Sequence, residues 1–401
     1  MNQNQLKNLR PIPPNHGVGF SSMEEVDCKD YRYAKAGRYH NYHFTETNCR
    51  WPEVPVCEKE HWTIDAFSPN LNKDLHVGHL RQLALANALS HLLPNAHFIA
   101  MLGACLGTKA DAMTALENWF AFLGYHPQSF IDTILAEKHE IEGRLETNIE
   151  SHYAGAVVWD GPKGPVVIRK SNGDTTYSYH DLCLVEETHP NAYITGAEQR
   201  EHFERLGLLD KHYPMGLVLG ADNKKLKSRT GDALSADEAM EVVLAKLDKT
   251  PHPKELAWNV LAWNFLHVSR PQNVKFEVEK WTEPDAPGLY ITYTYARLCS
   301  ALNKIVAPVM ADARQIEYTP LDLQILGFSE YAHYYVYKAK EALDLAGIAN
   351  YTHDLARWLG NAYHTERIVE GRPAFQNALQ HTTLRLGECM KCLGMFCLES
   401  V

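Results

Sequence analysis

The chain has 401 residues, 45% of them hydrophobic and 22% charged, which excludes wholesale disorder, collagen-like repeats and coiled coil and suggests two or three domains. Lysine and arginine number 39 against 49 aspartates and glutamates, a net charge of −10, so a generic polyanion binder is not suggested and DNA is not an expected partner. No run approaches the roughly 18–20 apolar residues of a membrane span, and Met1–Gly17 lacks a secretory leader's apolar core and cleavage site, so the expected compartment is the cytosol.

Residues 1–60 are rich in Pro, Asn, His and Tyr, lack sustained periodicity, and read as an irregular extension. Trp62–Phe67 reads as a strand, followed by the polar loop Ser68–Leu75. Leu80, Ala84, Ala88 and Leu92 stand four apart, which predicts a helix over about His76–Leu93, and Pro94 stops it. His97–Leu102 reads as a second strand, so the segment is a βαβ unit and implies a parallel sheet. Residues 110–150 read as helical, and Ala156–Trp159 and Val166–Lys170 flank a turn as a hairpin. Ala192–Thr195 and Gly216–Leu219 are further strand candidates, with helical stretches at Asp181–Glu187 and His202–Asp210. Beyond about residue 234 helical patterns dominate, at Lys254–His267, Tyr293–Val306, Tyr331–Leu345, Tyr351–His364 and Pro373–Leu393. The expected fold class is an α/β nucleotide-binding domain followed by an all-helical domain.

Two constellations carry chemistry. His76-Val-Gly-His79 opens a helix directly after a strand and loop. Helix N-terminal amides are partly positive, Gly78 admits close approach, and two imidazoles can donate to phosphate oxygens, which suits a triphosphate. A helix cap or a buried hydrogen-bonding pair is the bland alternative. Further on, Ala221–Asp232 carries Lys224, Lys225, Lys227 and Arg229 in a glycine-terminated loop. Such a loop can clamp a charged transition state, or be a solvated basic turn. The nine cysteines read as reduced thiols. Cys389 and Cys392 have metal-ligand spacing, yet no second pair follows and the segment reads as an apolar helix.

Together these segments resemble the class I aminoacyl-tRNA synthetases, specifically the arginyl-tRNA synthetase family. The resemblance rests on Asp65–Arg81, Thr176–Asp181, Tyr193–Phe203, Leu226–Gly231, Tyr293–Ser300 and the segment around Phe328–Arg367. It implies a Rossmann-like catalytic domain over 61–245 with a shortened insertion at about 110–170. A helical connector over 246–285 and an anticodon-binding-like helical domain over 286–401 would follow. It implies ATP, with Mg²⁺ on its phosphates, held by His76, Gly78, His79, Lys225, Lys227, Ser228 and Arg229. His76, His79, Lys73 and Lys227 would serve catalysis, which is mostly positioning plus electrostatics. L-arginine would be held by Asp65, Ser68, Asn70, Tyr177, Asp181 and Gln199, and tRNA would meet Arg297. Carboxylates suit a guanidinium because it is planar, always charged and best gripped by a fork of acceptors.

Three departures stand out. By the resemblance, residues 1–60 are not expected to stand in for the family's large N-terminal domain. The basic signature is degenerate, with Ser228 where a lysine is usual and Lys73 available upstream of the first motif. Gly103–Lys109 replaces a segment that normally carries an acid and a tryptophan. The pattern fits a specialised paralogue, for which an arginine-containing cyclodipeptide synthase and a non-catalytic tRNA-binding protein are the alternatives. The helical domain carries ten basic against eleven acidic side chains, so any tRNA contact there would rest on shape and a few placed groups.

Overall fold

A computed structural model describes residues 3–13, 16–45, 48–99, 110–124, 151–153, 155–224, 226, 234–247, 249–305 and 317–401. The chain divides into two compact units, one of 1–57, 243–269 and 278–401, the other of 58–242 and 270–277.

The first unit begins with the short helix α1 (Gln3–Lys7) and an antiparallel sheet of β1 (Arg10–Pro11), β2 (Gly19–Ser22), β3 (Arg32–Ala36) and β4 (Tyr39–His43), in the order β1-β2-β4-β3. This corrects the reading of residues 1–60 as an irregular extension. Strands of two to five residues broken by Gly17 and Gly37 are too short to show a period of two. Aromatic packing supplies the core instead. Phe20 stacks on Tyr42 at 5.1 Å and meets Trp51 edge-on at 5.9 Å.

The second unit holds a parallel sheet of β5 (Thr63–Asp65), β6 (His97–Ile99), β10 (Ala192–Gly196) and β11 (His212–Met215), ordered β11-β10-β5-β6. The crossover from β5 to β6 is α2 (Val77–Leu92), whose Leu80, Ala84, Leu85, Ala88, Leu89 and Leu92 are all buried. Between the sheet halves lie α3 (Ala110–Leu123), the antiparallel strands β7 (Ser151–Tyr153), β8 (Ala156–Gly161) and β9 (Gly164–Arg169), and α4 (Tyr177–Thr188). The short α5 (Arg200–Arg205) follows β10. The strand expected at Gly216–Leu219 is not in this sheet. Only Val218–Leu219 forms a strand, β12, which pairs in parallel with β13 (Val274–Lys275) as a separate ladder. The fourth sheet strand is β11, which the sequence pattern did not single out.

Buried Arg81 explains the departure at residue 216. Its guanidinium donates to the carbonyls of Gly216 (2.7 Å), Gln272 (2.9 Å) and Arg270 (3.4 Å), tying α2 to the chain on both sides of the β12–β13 ladder. A Cβ on Gly216 would meet the Gln272 carbonyl oxygen, so only glycine allows this approach.

The remaining helices are α6 (Ala236–Leu247), α7 (Pro253–Leu266), α8 (Val278–Trp281), α9 (Pro287–Leu302), α10 (Pro320–Glu330), α11 (Ala332–Ala342), α12 (Ala346–Thr365) and α13 (Pro373–Cys392). The buried α7 is pinned by Trp258, which donates to the Gly394 carbonyl at 2.8 Å, and Trp263, which donates to Ala349 at 3.0 Å. Cys389 and Cys392 lie on α13, where burial pushes both thiols up, Cys392 to about 11, away from the thiolate a metal needs. Among the described residues no helix is long and apolar enough to cross a membrane.

The N-terminal sheet is fastened to α10 and α11. The Tyr331 hydroxyl donates to the Ile12 carbonyl (2.9 Å) and accepts from the Gly19 amide (3.0 Å), while the Trp51 amide donates to the Glu330 carboxylate (3.0 Å). Gly327 makes room for Val18 and Phe44, which a Cβ there would strike at 2.7 and 2.8 Å. Tyr331→Phe removes a hydroxyl that satisfies two buried backbone groups. Urea denaturation should show a loss of about 1–3 kcal/mol, whereas Tyr39→Phe, whose hydroxyl makes only an exposed contact with Arg38, should change it little.

Candidate functional site

The carboxyl ends of parallel strands are where α/β folds place ligands, and Asp65 stands at the end of β5. It is buried, and the Ser68 hydroxyl donates to it at 2.6 Å. Burial pushes its carboxyl up to about 7; the Ser68 hydrogen bond lowers it, and Asp181 nearby raises it. Among the described residues no cation reaches Asp65.

Asp181 comes from α4. Thr176 caps that helix by accepting from the Tyr179 amide, so Tyr177 and Asp181 stand one turn apart on one helical face. The Tyr177 hydroxyl lies 2.5 Å from the Asn70 amide nitrogen, which donates to it. Asn70 also accepts from the Asn72 amide, which holds the loop after β5 in shape. The structure therefore joins Asp65, Ser68, Asn70, Tyr177 and Asp181 at one place. Gln199 is exposed just before α5, in the turn that follows β10.

Two further groups belong to this cluster. Tyr193 of β10 is the register partner of Asp65 on the adjacent strand. Its ring is buried, its hydroxyl has no hydrogen-bond partner among the described residues, and burial with Asp65 and Asp181 holds its proton tightly. His202 of α5 donates to the Asp181 carboxylate at 2.5 Å, fixing that side chain. Both residues lie in a segment the sequence pattern had singled out. Strand pairing and helix packing, not spacing, reveal their place.

The opening of α2 is a second, distinct piece of geometry. His76 Nδ1 accepts from the amides of Gly78 (3.1 Å) and His79 (3.4 Å), while the His76 amide donates to His79 Nδ1 (3.3 Å). The rings stack at 3.8 Å, and a Cβ on Gly78 would strike the His76 ring. With both Nδ1 atoms accepting, each proton sits on Nε2, which is a donor. Burial, then the adjacent His76, pushes His79 down to about 3, so its imidazole is neutral at pH 7. The helix N-terminus and imidazole donors together suit phosphate oxygens.

Lys73 is exposed in the loop between these two groups. Lys225, Lys227, Ser228 and Arg229 lie outside the described residues. The ends of their loop are fixed, since the Gly220 amide donates to the Lys224 carbonyl and the Val77 amide donates to the Leu234 carbonyl at 2.9 Å. Ser235 pairs with His76, so the loop returns to the start of α2. Arg297 belongs to the other unit, where it is exposed on α9 with its guanidinium 5.8 Å from the Tyr363 ring centroid. Among the described residues no three His, Cys, Asp or Glu side chains converge on a metal position.

No family model matches the chain. It is 25% identical to the arginine–tRNA ligase of Latilactobacillus sakei, over 72% of this chain and 58% of that protein. To the arginine–tRNA ligase of Streptococcus uberis it is 23% identical, over 97% of this chain and 91% of that one. The chain spans 58% of the length of the L. sakei protein and of the Acanthamoeba polyphaga mimivirus ligase alike. Among solved structures it is similar to the arginyl-tRNA synthetase of Plasmodium falciparum (TM-score 0.70, 15% identity, 94% of this chain and 87% of that chain). It is also similar to that of Thermus thermophilus (0.66, 17%, 92% and 88%). The fold is that of a class I synthetase catalytic domain with a helical C-terminal region.

The Asp65 carboxyl has a testable energetic signature. An unfolded aspartate titrates near 3.9, so its folded-state value of about 7 makes ionised Asp65 destabilising. That cost begins above the unfolded value and is complete above about pH 7. Asp65→Asn should therefore raise the melting midpoint by roughly 2–6 °C at pH 8 and by much less at pH 4, as read by calorimetry at the two pH values.

Proposed function

We propose that this chain, a relative of the class I arginyl-tRNA synthetases, activates L-arginine with ATP and transfers the arginyl group to tRNA. The observation that carries the reading is the pair Asp65 and Asp181, two carboxylates held together with a tyrosine hydroxyl and no cation at Asp65 among the described residues. A guanidinium is the ligand that relieves such a site: it is always charged, and its fork of donors matches carboxylate geometry. Ser68 and His202 each orient one carboxylate, Asn70 and Tyr177 hold one another at the exposed side, and Gln199 and Asn70 serve the amino-acid end.

His76, Gly78 and His79 at the start of α2 then take the nucleotide. His79 is neutral, and with both Nδ1 atoms accepting the two rings present Nε2 protons that donate to phosphate. The arginine carboxylate is already a nucleophile at neutral pH. It attacks the α-phosphorus, pyrophosphate leaves, and arginyl-adenylate forms. Lys73, Lys225, Lys227, Ser228 and Arg229 balance the charge that develops on the phosphates. Mg²⁺ would accompany the triphosphate and offset charge on its phosphates, since no metal-ligating cluster stands among the described residues. A tRNA ribose hydroxyl then displaces AMP and takes the arginyl group, with Arg297 among the tRNA contacts. The place of action is the cytosol.

Two outcomes test the reading. Asp181→Asn leaves His202 and the guanidinium with a neutral partner; losing a charge-assisted bond of roughly 1.5–3 kcal/mol should weaken arginine ten- to hundredfold in titration calorimetry while ATP affinity holds. His76→Ala with His79→Ala should abolish arginyl-adenylate formation with arginine affinity retained, and an unchanged rate would sink the assignment. Binding should also carry a pH signature. Guanidinium needs ionised Asp65, which titrates near 7 without ligand. Arginine affinity should therefore fall about tenfold per pH unit below roughly pH 6, with one proton released on binding, and level off above about pH 8.

A further inference from the structure

The β3–β4 hairpin stands apart electrostatically from the rest of this acidic chain. Between Arg32 and His43 it carries Arg32, Lys35 and Arg38 and no acid, whereas the chain as a whole is at −10. The acids of the neighbouring connection, Glu24, Glu25, Asp27 and Asp30, precede β3 and share that connection with Lys29, while the hairpin itself carries basic side chains and no acid. Every residue of β3 is exposed, and β3 is an edge strand. None of the three cations is in an ion pair among the described residues.

Its aromatic groups are equally placed for a ligand. Tyr33 is 45% exposed and Tyr39 37%, unusual for large side chains on a small sheet whose other aromatics are buried. The Arg38 guanidinium lies 5.3 Å from the Tyr39 ring centroid, a cation beside a π-face. Tyr39 pairs with Ala36 and Asn41 with Ala34, and pleating puts these four residues on the same side of the ribbon as Arg32 and His43. That side is a low floor of two alanines with Tyr39, Arg32 and the turn residue Arg38 at its margins, whereas Lys35 and Tyr33 belong to the opposite side, where Tyr33 packs against Tyr42. The sheet is anchored on its β1–β2 side, where the Tyr331 hydroxyl bonds the Gly19 amide and the Ile12 carbonyl.

We propose that the β3–β4 hairpin is a docking surface for single-stranded RNA, with Arg32 and Arg38 on phosphates along the alanine floor, Lys35 adding charge from the other face of the edge strand, and Tyr39 stacking on a base. The chemistry favours this occupant. A cationic ribbon on an otherwise acidic protein selects a polyanion by charge, and the exposed Tyr39 adds value only for a ligand with accessible base faces, which a duplex hides. The inference rests on tRNA being the partner of the proposed reaction, and it supplies a local contact where the helical domain itself is close to neutral.

The test uses the full chain, a fluorescently labelled RNA stem–loop with a seven-nucleotide loop, and a blunt RNA duplex with the same number of phosphates. The wild-type chain should prefer the stem–loop. Combined Arg32→Ala, Lys35→Ala and Arg38→Ala should weaken it at least tenfold near 0.1 M salt and reduce the slope of log affinity against log salt by about 2. Tyr39→Ala should weaken the stem–loop about tenfold with the salt slope unchanged. Equal affinity and slope in the triple variant, preference for the duplex, or no RNA binding by the wild type would each overturn the proposal. Arginine affinity measured on the same proteins separates the two readings. RNA binding without arginine binding would remove the arginine pocket and leave the hairpin standing; arginine binding with an indifferent triple variant would do the reverse.

Discussion

A carboxylate buried at the end of a central strand, with another beside it, is costly in any protein. Here the cost is concentrated at Asp65, which Ser68 relieves only in part. The surrounding architecture keeps it in place. β5 is an interior strand, flanked by β6 and β10, so Asp65 cannot swing out to water without breaking the sheet. The cost of the buried carboxyl is carried by the stability of the parallel sheet around it, the usual trade between stability and function.

The same logic explains why so much of this unit converges on α2. Its N-terminus presents the two interlocked histidines, its interior supplies the apolar face against the sheet, and its Arg81 gathers three carbonyls from segments far along the chain. A buried guanidinium is tolerable because its donors reach backbone oxygens. One helix thus positions the part of the site proposed for the nucleotide and ties the end of the α/β unit together.

How much of this was legible in sequence depended on range. The β5–α2–β6 unit was readable because a four-residue apolar spacing, a polar loop and Pro94 all act locally. The cluster of Asp65, Ser68, Asn70, Tyr177 and Asp181 was reached through resemblance, and the structure brings these residues together. Tyr193 and His202 were not assigned roles, because the first needs the pairing of β10 with β5 and the second needs α5 packed beside α4. The N-terminal sheet was missed for the opposite reason: its strands are too short for any local pattern, and what stabilises them lies more than three hundred residues away. The segment at Gly216 looked like a sheet strand, and only the approach of residues 270–272 shows that the chain has left the sheet.

That separation has a consequence for biosynthesis. The Gly19 amide meets the Tyr331 hydroxyl across 312 positions, and Trp51 meets Glu330 across 279. On a ribosome adding roughly 5–20 residues per second, the first strands emerge many seconds before α10 and α11 exist. During that interval Phe20, Tyr42 and Trp51 have no helical partner to cover them, while the parallel sheet of the other unit can already assemble. This sheet is therefore completed only after the segments that follow it have been made, so its folding waits on α10 and α11 rather than on its own strands.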